Sequence, residues 1–452
     1  MTAAGRLAAR LPLDLLRERT LRRLFAAHAA SVLGSSMMPI ALSFAVLDNG
    51  GGASGVGLVL GAQTAPLMVF LLAGGVLADR WGRRVTMIGS DLVRAAVETT
   101  MVVVLLTTGL PTAGFVAFAA VLSVAAAFFH PAFHGFVPEV VPEKRLQEAN
   151  ALGSTLQSIG SLVGPAVGGV LVAWTEPAWV IAIDAATFLV SALLLAGVRT
   201  TPTARADRAD ESFLRQLKEG WREFRSRTWL WSLLAYTSLA CTFVLCPVMV
   251  LGITSVGGKE HGAAQWGTVL AAEGVGALLG GLLGMRLTFR RPLLASVFCT
   301  FGLGLFAALL ALGAPVHVLV AGSLLSGAGF ALLHILWTSS LQADVPSEVL
   351  SRVSAYDGVA TVLSMTVGYW WAAPAAARVG TAPLLWFGVV WTVASAAVML
   401  AVPQIRRSAI GAAREPRDGG NTAVTEEPFQ GEGGDLQPPA GLEPAAKRLE
   451  GA

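Results

Sequence analysis

The sequence predicts an all-α membrane protein of twelve transmembrane helices in two pseudo-symmetric six-helix bundles, and three observations carry that prediction. Hydrophobic residues make up 54% of the 452-residue chain, charged residues only 13%, and mean hydropathy is +0.65, which excludes a soluble enzyme and fits a polytopic membrane protein. Twelve apolar segments of spanning length alternate with polar links. Finally, 29 of the 32 Lys and Arg residues fall on alternate links and the two termini, leaving Lys259 and Arg378 on the other side and Arg94 within a span. By the positive-inside rule, twelve spans then place both termini in the cytoplasm.

In chain order, residues 1–23 are basic, with leucines at near-helical spacing (Leu11, Leu15, Leu16, Leu21, Leu24). They lack the apolar core of a cleavable signal and read as an amphipathic segment on the cytoplasmic surface. Apolar segments follow at 24–47, 56–78, 85–107, 112–140, 147–173 and 178–198, forming an N-terminal bundle over 24–198. Residues 199–227 are the one long polar connection and read as a cytoplasmic linker. Six further segments, at 228–253, 264–285, 293–312, 316–344, 349–375 and 382–402, form a C-terminal bundle over 228–402. The remainder, 403–452, is rich in Gly, Pro and Glu without apolar periodicity and reads as a disordered cytoplasmic tail.

The six-plus-six division implies duplication, and two matches support it. Gly74-Gly75-Val76-Leu77 with Arg80 aligns with Gly280-Gly281-Leu282-Leu283 with Arg286, an offset of 206 residues. His130 with Val141-Pro142 and Leu146 aligns with His334, Val345-Pro346 and Leu350 at an offset of 204.

The densest charge lies between the second and third spans, in GGVLADRWGRR from Gly74 to Arg84. Gly74 and Gly75 permit close helix packing, the arginines belong in water or among lipid phosphates, and Asp79 suits the start of a helix, where free N–H groups favour negative charge. A stop-transfer clamp is the plain alternative. In the fifth span, Gly160, Gly164, Pro165, Gly168 and Gly169 combine small residues at four-residue spacing with a proline that removes a helix hydrogen bond. Ordinary small-residue packing explains such a stretch as well.

Together, Gly75-x-x-x-Asp79-Arg80-x-Gly82-Arg83-Arg84 and the fifth-span glycines resemble the loop signature and the antiporter motif of the major facilitator superfamily. Ser90-Asp91-Leu92-Val93-Arg94-Ala95 and the run FFHPAFHGFVPEVVP, followed by Glu148-Ala149-Asn150-Ala151, are similar to the twelve-span drug/proton antiporter branch that includes macrolide efflux proteins and the enterobactin exporter. The resemblance covers most of residues 24–400. It implies a cytoplasmic gate at Gly75, Asp79, Arg80, Gly82, Arg83 and Arg84, latched against the start of the eleventh span near Ser347. One departure stands out: residues 113–129 of the fourth span hold no arginine, so the proton-linked arginine of other drug-exporter branches has no counterpart.

Coupling then rests on other intramembrane charges, which are costly in lipid and are functional candidates for that reason. Asp91, Arg94 and Glu98 share one face of the third span, with Glu98 roughly 20 Å from the cytoplasmic end. A self-neutralising structural triad is one role for them and proton coupling the other. Glu273, in the eighth span beside Gly274 and Gly276, has no basic residue within a helical turn and suits proton uptake and release. Asp357 in the eleventh span is the second such carboxylate.

His130, His134 and His334 fit gate packing or titration, and Phe44, Phe128, Phe133, Phe243, Trp337 and Trp370 fit either an apolar cavity or the bilayer face. Cys241, Cys246 and Cys299 lie in apolar runs without metal or disulfide spacing and read as packing residues. No Walker lysine pattern, HExxH or GxSxG stands in a credible context, and there is no basic domain for nucleic acid. The excess of arginine over lysine and the abundant alanine fit a GC-rich bacterial genome.

The expectation is therefore a non-enzymatic, monomeric exporter in a bacterial cytoplasmic membrane, with the proton gradient in place of any cofactor. It would move a hydrophobic or amphipathic small molecule, whether drug, macrolide-like compound or secondary metabolite, by proton antiport and alternating access. A siderophore or lysolipid carrier of the same fold, or a non-transporting membrane sensor or scaffold, are the alternatives. Replacing Asp79 by Asn should weaken export without lowering the amount of protein inserted in the membrane; unchanged efflux from intact cells would remove the latch.

Overall fold

A bilayer offers no water to unpaired backbone N–H and C=O groups, so a spanning segment must satisfy them within itself. The structure, a computed structural model, describes residues 13–198, 222, 224–257, 262–287, 289–345 and 347–407, and no strand occurs among them. The first half comprises α1 (Arg19–Asp48), α2 (Gly52–Trp81), α3 (Arg83–Thr107), α4 (Thr112–Val140), α5 (Leu146–Trp174) and α6 (Pro177–Ala196). In the second half, α7 starts as Thr228–Ala240, passes through a π turn at Cys241–Leu245 and continues as Cys246–Gly257. Next come α8 (Gly262–Arg286), α9 in two pieces (Pro292–Cys299 and Phe301–Ala311), α10 (Val316–Asp344), α11 (Ser347–Val379) and α12 (Thr381–Ala401).

Among the described residues, ten helices are long and apolar enough to cross a membrane. The other two, α3 at 25 residues and α11 at 33, have the length but carry more charge: Asp91, Arg94 and Glu98 in one, Glu348, Arg352 and Asp357 in the other. Several helices overrun the apolar segments that announce them, because charged flanks continue the hydrogen-bonded spiral; α1 already begins at Arg19. Within the expected amphipathic segment at the N-terminus, the described residues form a short 3-10 turn at Leu13–Arg17 that leads into α1 and buries Leu15. The rest of that segment, the linker over 199–221 and the tail over 408–452 lie outside the described residues.

The turns are set by residues with special backbone freedom. Between α2 and α3 there is a single residue, Gly82, at φ 93°, a left-handed conformation open to glycine and strained for others. Prolines open α6 and the first piece of α9, where a helix needs no N–H.

By the alternation of the helices, Arg19, Arg83, Arg145, Arg286 and Arg291 mark one end of the bundle, the basic end. The apolar core is organised differently at its two ends. At the far end one continuous cluster joins both halves, running from Met37–Val46 stretch residues such as Leu42 and Phe44 through Leu60, Phe115 and Val180 to Val248, Trp266, Phe306 and Ala372. At the basic end there are two separate clusters. One gathers Leu21, Phe25, Met87, Phe133 and Leu195 in the first half; the other gathers Trp229, Leu233, Trp337, Leu341 and Met399 in the second.

The far-end seal runs along two helix pairs, α5 with α8 and α2 with α11. In the first pair, a Cβ on Gly169 would strike the Cα of Gly267. In the second, Gly57 faces the Tyr369 carbonyl, Gly61 lies against the Trp370 indole, and the hydroxyls of Thr64 and Thr366 are 2.7 Å apart. Inside the second half, a Cβ at Gly276 or Gly280 of α8 would collide with the α10 carbonyls of Leu324 or Ala328. Small residues thus replace the hydrophobic drive that is missing between helices in lipid.

Introducing a side chain at the α5–α8 contact should release the far end. Gly169→Val is expected to cost about 1–3 kcal/mol of packing and to expose a cysteine placed at Thr64, closed off in the parent, to a membrane-impermeant maleimide. Unchanged labelling would show that the seal does not depend on that contact.

Candidate functional site: a cleft at the basic end and a buried charge cluster

The parting of the two basic-end cores implies a cleft between the halves. On α5, Asn150, Ser154, Gln157, Ser158 and Ser161 are all exposed. Polar side chains on a spanning helix face a water-filled cavity or protein rather than hydrocarbon, so this stripe forms a wet wall. The glycine side of the same helix does the opposite work. Added Cβ atoms at Gly160, Gly164 and Gly168 would meet Val32, Ser36 and Met37 of α1, while Gly169 turns to α8. The five-residue motif, with Pro165 inside the helix, therefore makes the close backbone packing that its spacing predicts.

Across the cleft, Glu273 of α8 is half-buried and makes no hydrogen bond or ion pair to the described residues. Its backbone carbonyl is pressed by Gly327 of α10, and Tyr369 of α11 lies within electrostatic reach of its carboxyl. Asp357 of α11, also half-buried, accepts a 3.2 Å hydrogen bond from Trp337 Nε1, with His334 close by on α10. These two carboxylates are thus differently held: one is tethered to α10 and the other is not.

The link between α2 and α3 is tied to its own half. Arg83 donates to the Gly135 carbonyl and pairs with Glu139 at 3.3 Å; Arg84 donates to the Leu195 carbonyl at 2.9 Å and to that of Ala196. The Arg84 guanidinium sits at the C-terminus of α6, where the last carbonyls favour positive charge, and Arg83 reaches α4 just before its last turn. Arg80 is exposed. The backbone of Asp79 belongs to the last turn of α2, not to the start of α3 as expected, because the helix runs on through Trp81 before Gly82 breaks it. The side chains of Gly75, Asp79 and Ser347, and with them the expected latch, lie outside the described residues.

On α3, Asp91, Arg94 and Glu98 do share one buried face, with exposures of 0%, 5% and 1%. That face is not a self-neutralising triad, since α6 brings a fourth charge into it, Asp184, also at 0%. Arg94 Nη2 is 2.5 Å from Asp91 Oδ1, and Ser191 Oγ donates to Asp91 Oδ2 at 2.6 Å. Thr187 Oγ1 donates to Asp184 Oδ1 at 3.1 Å, and the carboxyls of Asp184 and Glu98 lie within hydrogen-bonding distance of each other. The Arg94 guanidinium is held between the rings of Phe129 and Phe188, at 4.8 and 4.0 Å. Three acids and one base therefore meet in a buried core. A lone acid within the sixth apolar run was the available signal for Asp184; its partnership with Glu98 belongs to the packing of α6 on α3.

The aromatic candidates are scattered. Phe133 stacks on His28 at 4.0 Å, with His134 edge-on to Phe133 and His130 edge-on to Phe129. Phe243 meets Trp371, Phe387 and Trp391, Trp337 meets Trp229, and Phe44 is buried in the far-end core. Phe128 lines an apolar groove of about 440 Å³ among α2, α3 and α4, and Trp370 packs on Gly61. The three cysteines are free, and Cys241 and Cys246 face each other across the π turn at 4.0 Å. Among the described residues no group of His, Cys, Asp and Glu is placed to hold a metal.

Comparison with known proteins bears on the family and the fold. Macrolide efflux protein A of Streptococcus pyogenes is 28% identical over 363 residues, covering 79% of this chain and 89% of the relative. The multidrug efflux pump Tap of Mycolicibacterium fortuitum is 27% identical over 386 residues, covering 81% and 93%. The crystal structure of a D-xylose-proton symporter superposes with a TM-score of 0.63 at 14% identity, covering 86% of this chain and 98% of that one. Residues 24–369 match the model of the Major Facilitator Superfamily, and the chain, a multi-pass membrane transporter, belongs to that family.

Proposed function

We propose that this transporter exports a hydrophobic or amphipathic small molecule in exchange for protons, with its basic end and both termini in the cytoplasm of a bacterial cell. The observation that carries the reading is the asymmetry of the core: fused across both halves at the far end, divided at the basic end. Given the positive-inside rule, the cleft then opens to the cytoplasm, which is the state in which an exporter loads. The efflux function named for the two relatives supports the same direction of transport.

In this reading, substrate enters between the polar stripe of α5 and the wall of α8, α10 and α11. Among the described residues Glu273 has no cation to neutralise it, so a bound proton or a cationic group of the substrate is the natural occupant of its carboxyl, and competition between them couples the two fluxes. Asp357, held by Trp337, reports the position of α11 against α10 and is the second coupling candidate. Closure at the basic end, with release of the glycine contacts at the far end, would complete alternating access.

The test is substrate-induced proton movement in proteoliposomes, with a panel of macrolides, dyes and siderophores. Wild-type protein should move protons against substrate. Glu273→Gln should lower that flux by about tenfold or more, equivalent to ~1.4 kcal/mol of lost coupling, while equilibrium binding stays within a few-fold. Retained flux in Glu273→Gln would transfer the coupling role to another carboxylate. No proton movement with any transported compound would overturn antiport altogether.

A further inference from the structure

The charges buried between α3 and α6 do not balance. Asp91 and Arg94 form a close ion pair, and both Asp91 oxygens are used, one by Arg94 and one by Ser191. That leaves Glu98 and Asp184 facing each other, with only the Arg94 charge, already paired to Asp91, within electrostatic reach of both. Glu98 Oε2, Asp184 Oδ2 and Arg94 Nε are buried without a hydrogen-bond partner. Two ionised carboxylates in contact inside an apolar core repel strongly and have no hydrogen to share; a single proton between them removes the repulsion and forms the bond. Aspartic-protease dyads obey the same rule, and the proton there belongs to the pair rather than to either residue.

We propose that the Glu98–Asp184 carboxyl pair is a proton-binding site of the first half, separate from Glu273, that exchanges between one shared proton (net charge −1) and two protons (neutral). The groups around it are few. Asp91 and Arg94 lie on α3 with Glu98, α4 brings His130 within reach of Arg94, α6 supplies Thr187 and Ser191, and α1 turns Gly34 toward it. A Cβ on Gly34 would strike Asp184 Oδ1 and Thr187 Oγ1, so the α1 backbone rests directly on the carboxyl.

That contact gives the site its route to transport. The same stretch of α1 is clamped from its other side, where Val32, Ser36 and Met37 fill the notches left by Gly160, Gly164 and Gly168 of α5. A charge appearing on Asp184 acts on Gly34 and, through three residues on either side of it, on the helix that carries both the wet wall and the α8 contact. Loss of the second proton leaves one negative charge that the buried core does not solvate, and the relief available is a shift of α1 away from α6 that admits water. Protonation restores the close fit.

The transport role rests on the antiport reading; the proton site does not, and two measurements separate them. Infrared spectroscopy of the purified protein should show the carbonyl stretch of protonated carboxyl groups at neutral pH, diminished in Glu98→Gln and in Asp184→Asn. Both variants retaining the full wild-type band would overturn the site. In proteoliposomes, the two variants should retain substrate counterflow, which needs no net proton movement, yet move fewer protons per substrate than wild type. Wild-type stoichiometry in folded variants would overturn the role in coupling. If wild type itself moves no protons while the infrared band falls in the variants, the antiport reading fails and the binding site stands. Should Asp184→Asn fail to insert, Glu98→Gln carries both measurements, since it leaves the Asp184 contacts with Gly34 and Thr187 in place.

Discussion

Two glycines, Gly169 of α5 and Gly267 of α8, meet backbone to backbone, and the arrangement of the whole molecule follows from contacts of that kind. In hydrocarbon, an isoleucine gains little by leaving lipid for a neighbouring helix, so adhesion between helices depends on how closely their backbones approach. The glycines of α5 give it one such approach to α1 and another to α8, those of α2 give an approach to α11, and those of α8 an approach to α10. The far-end core that spans both halves is what remains when these four pairs are drawn tight. Toward the basic end, the α5 face carries Asn150, Ser154 and Gln157, and the halves keep separate cores.

The helices were legible as apolar runs because a bilayer demands about twenty such residues and little else satisfies that demand. Chain reversals at Gly82, Gly109, Gly313 and Gly380 were equally open to reading, each a glycine at positive φ between two runs. The break in α9 at Thr300 was not, since it carries neither proline nor a change of hydropathy. The π turn in α7 had a signal that went unread: Pro247, just beyond it, has no N–H for the Phe243 carbonyl. The packing face of the fifth span was legible because glycine spacing translates directly into close helix contact. The α2–α3 link is less legible: that Arg83 reaches the Gly135 carbonyl of α4 and Arg84 the last carbonyls of α6 depends on which helices end beside them.

The buried cluster shows most clearly where sequence reading stops. Periodicity put Asp91, Arg94 and Glu98 on one face, and the face is indeed buried. Charge arithmetic within one helix then gave the wrong balance, because Asp184 comes from a segment almost a hundred residues away. Arg94 tolerates that environment through two aromatic faces, which supply attraction without adding any charge. Its Asp91 partner is satisfied in full, so the surplus negative charge falls on the Glu98–Asp184 pair alone.

Gly82 deserves a last consideration as a joint. With a single residue between Trp81 and Arg83, α2 and α3 have no slack, and Arg83 and Arg84 pin the joint to the ends of α4 and α6. Under the proposed export cycle, tilting α2 away from α11 would swing α3 as the other arm of the same lever. That arm carries Asp91, Arg94 and Glu98, while Asp184 belongs to α6. In such a cycle, mechanical stroke and electrostatic misfit would be two readings of one rotation.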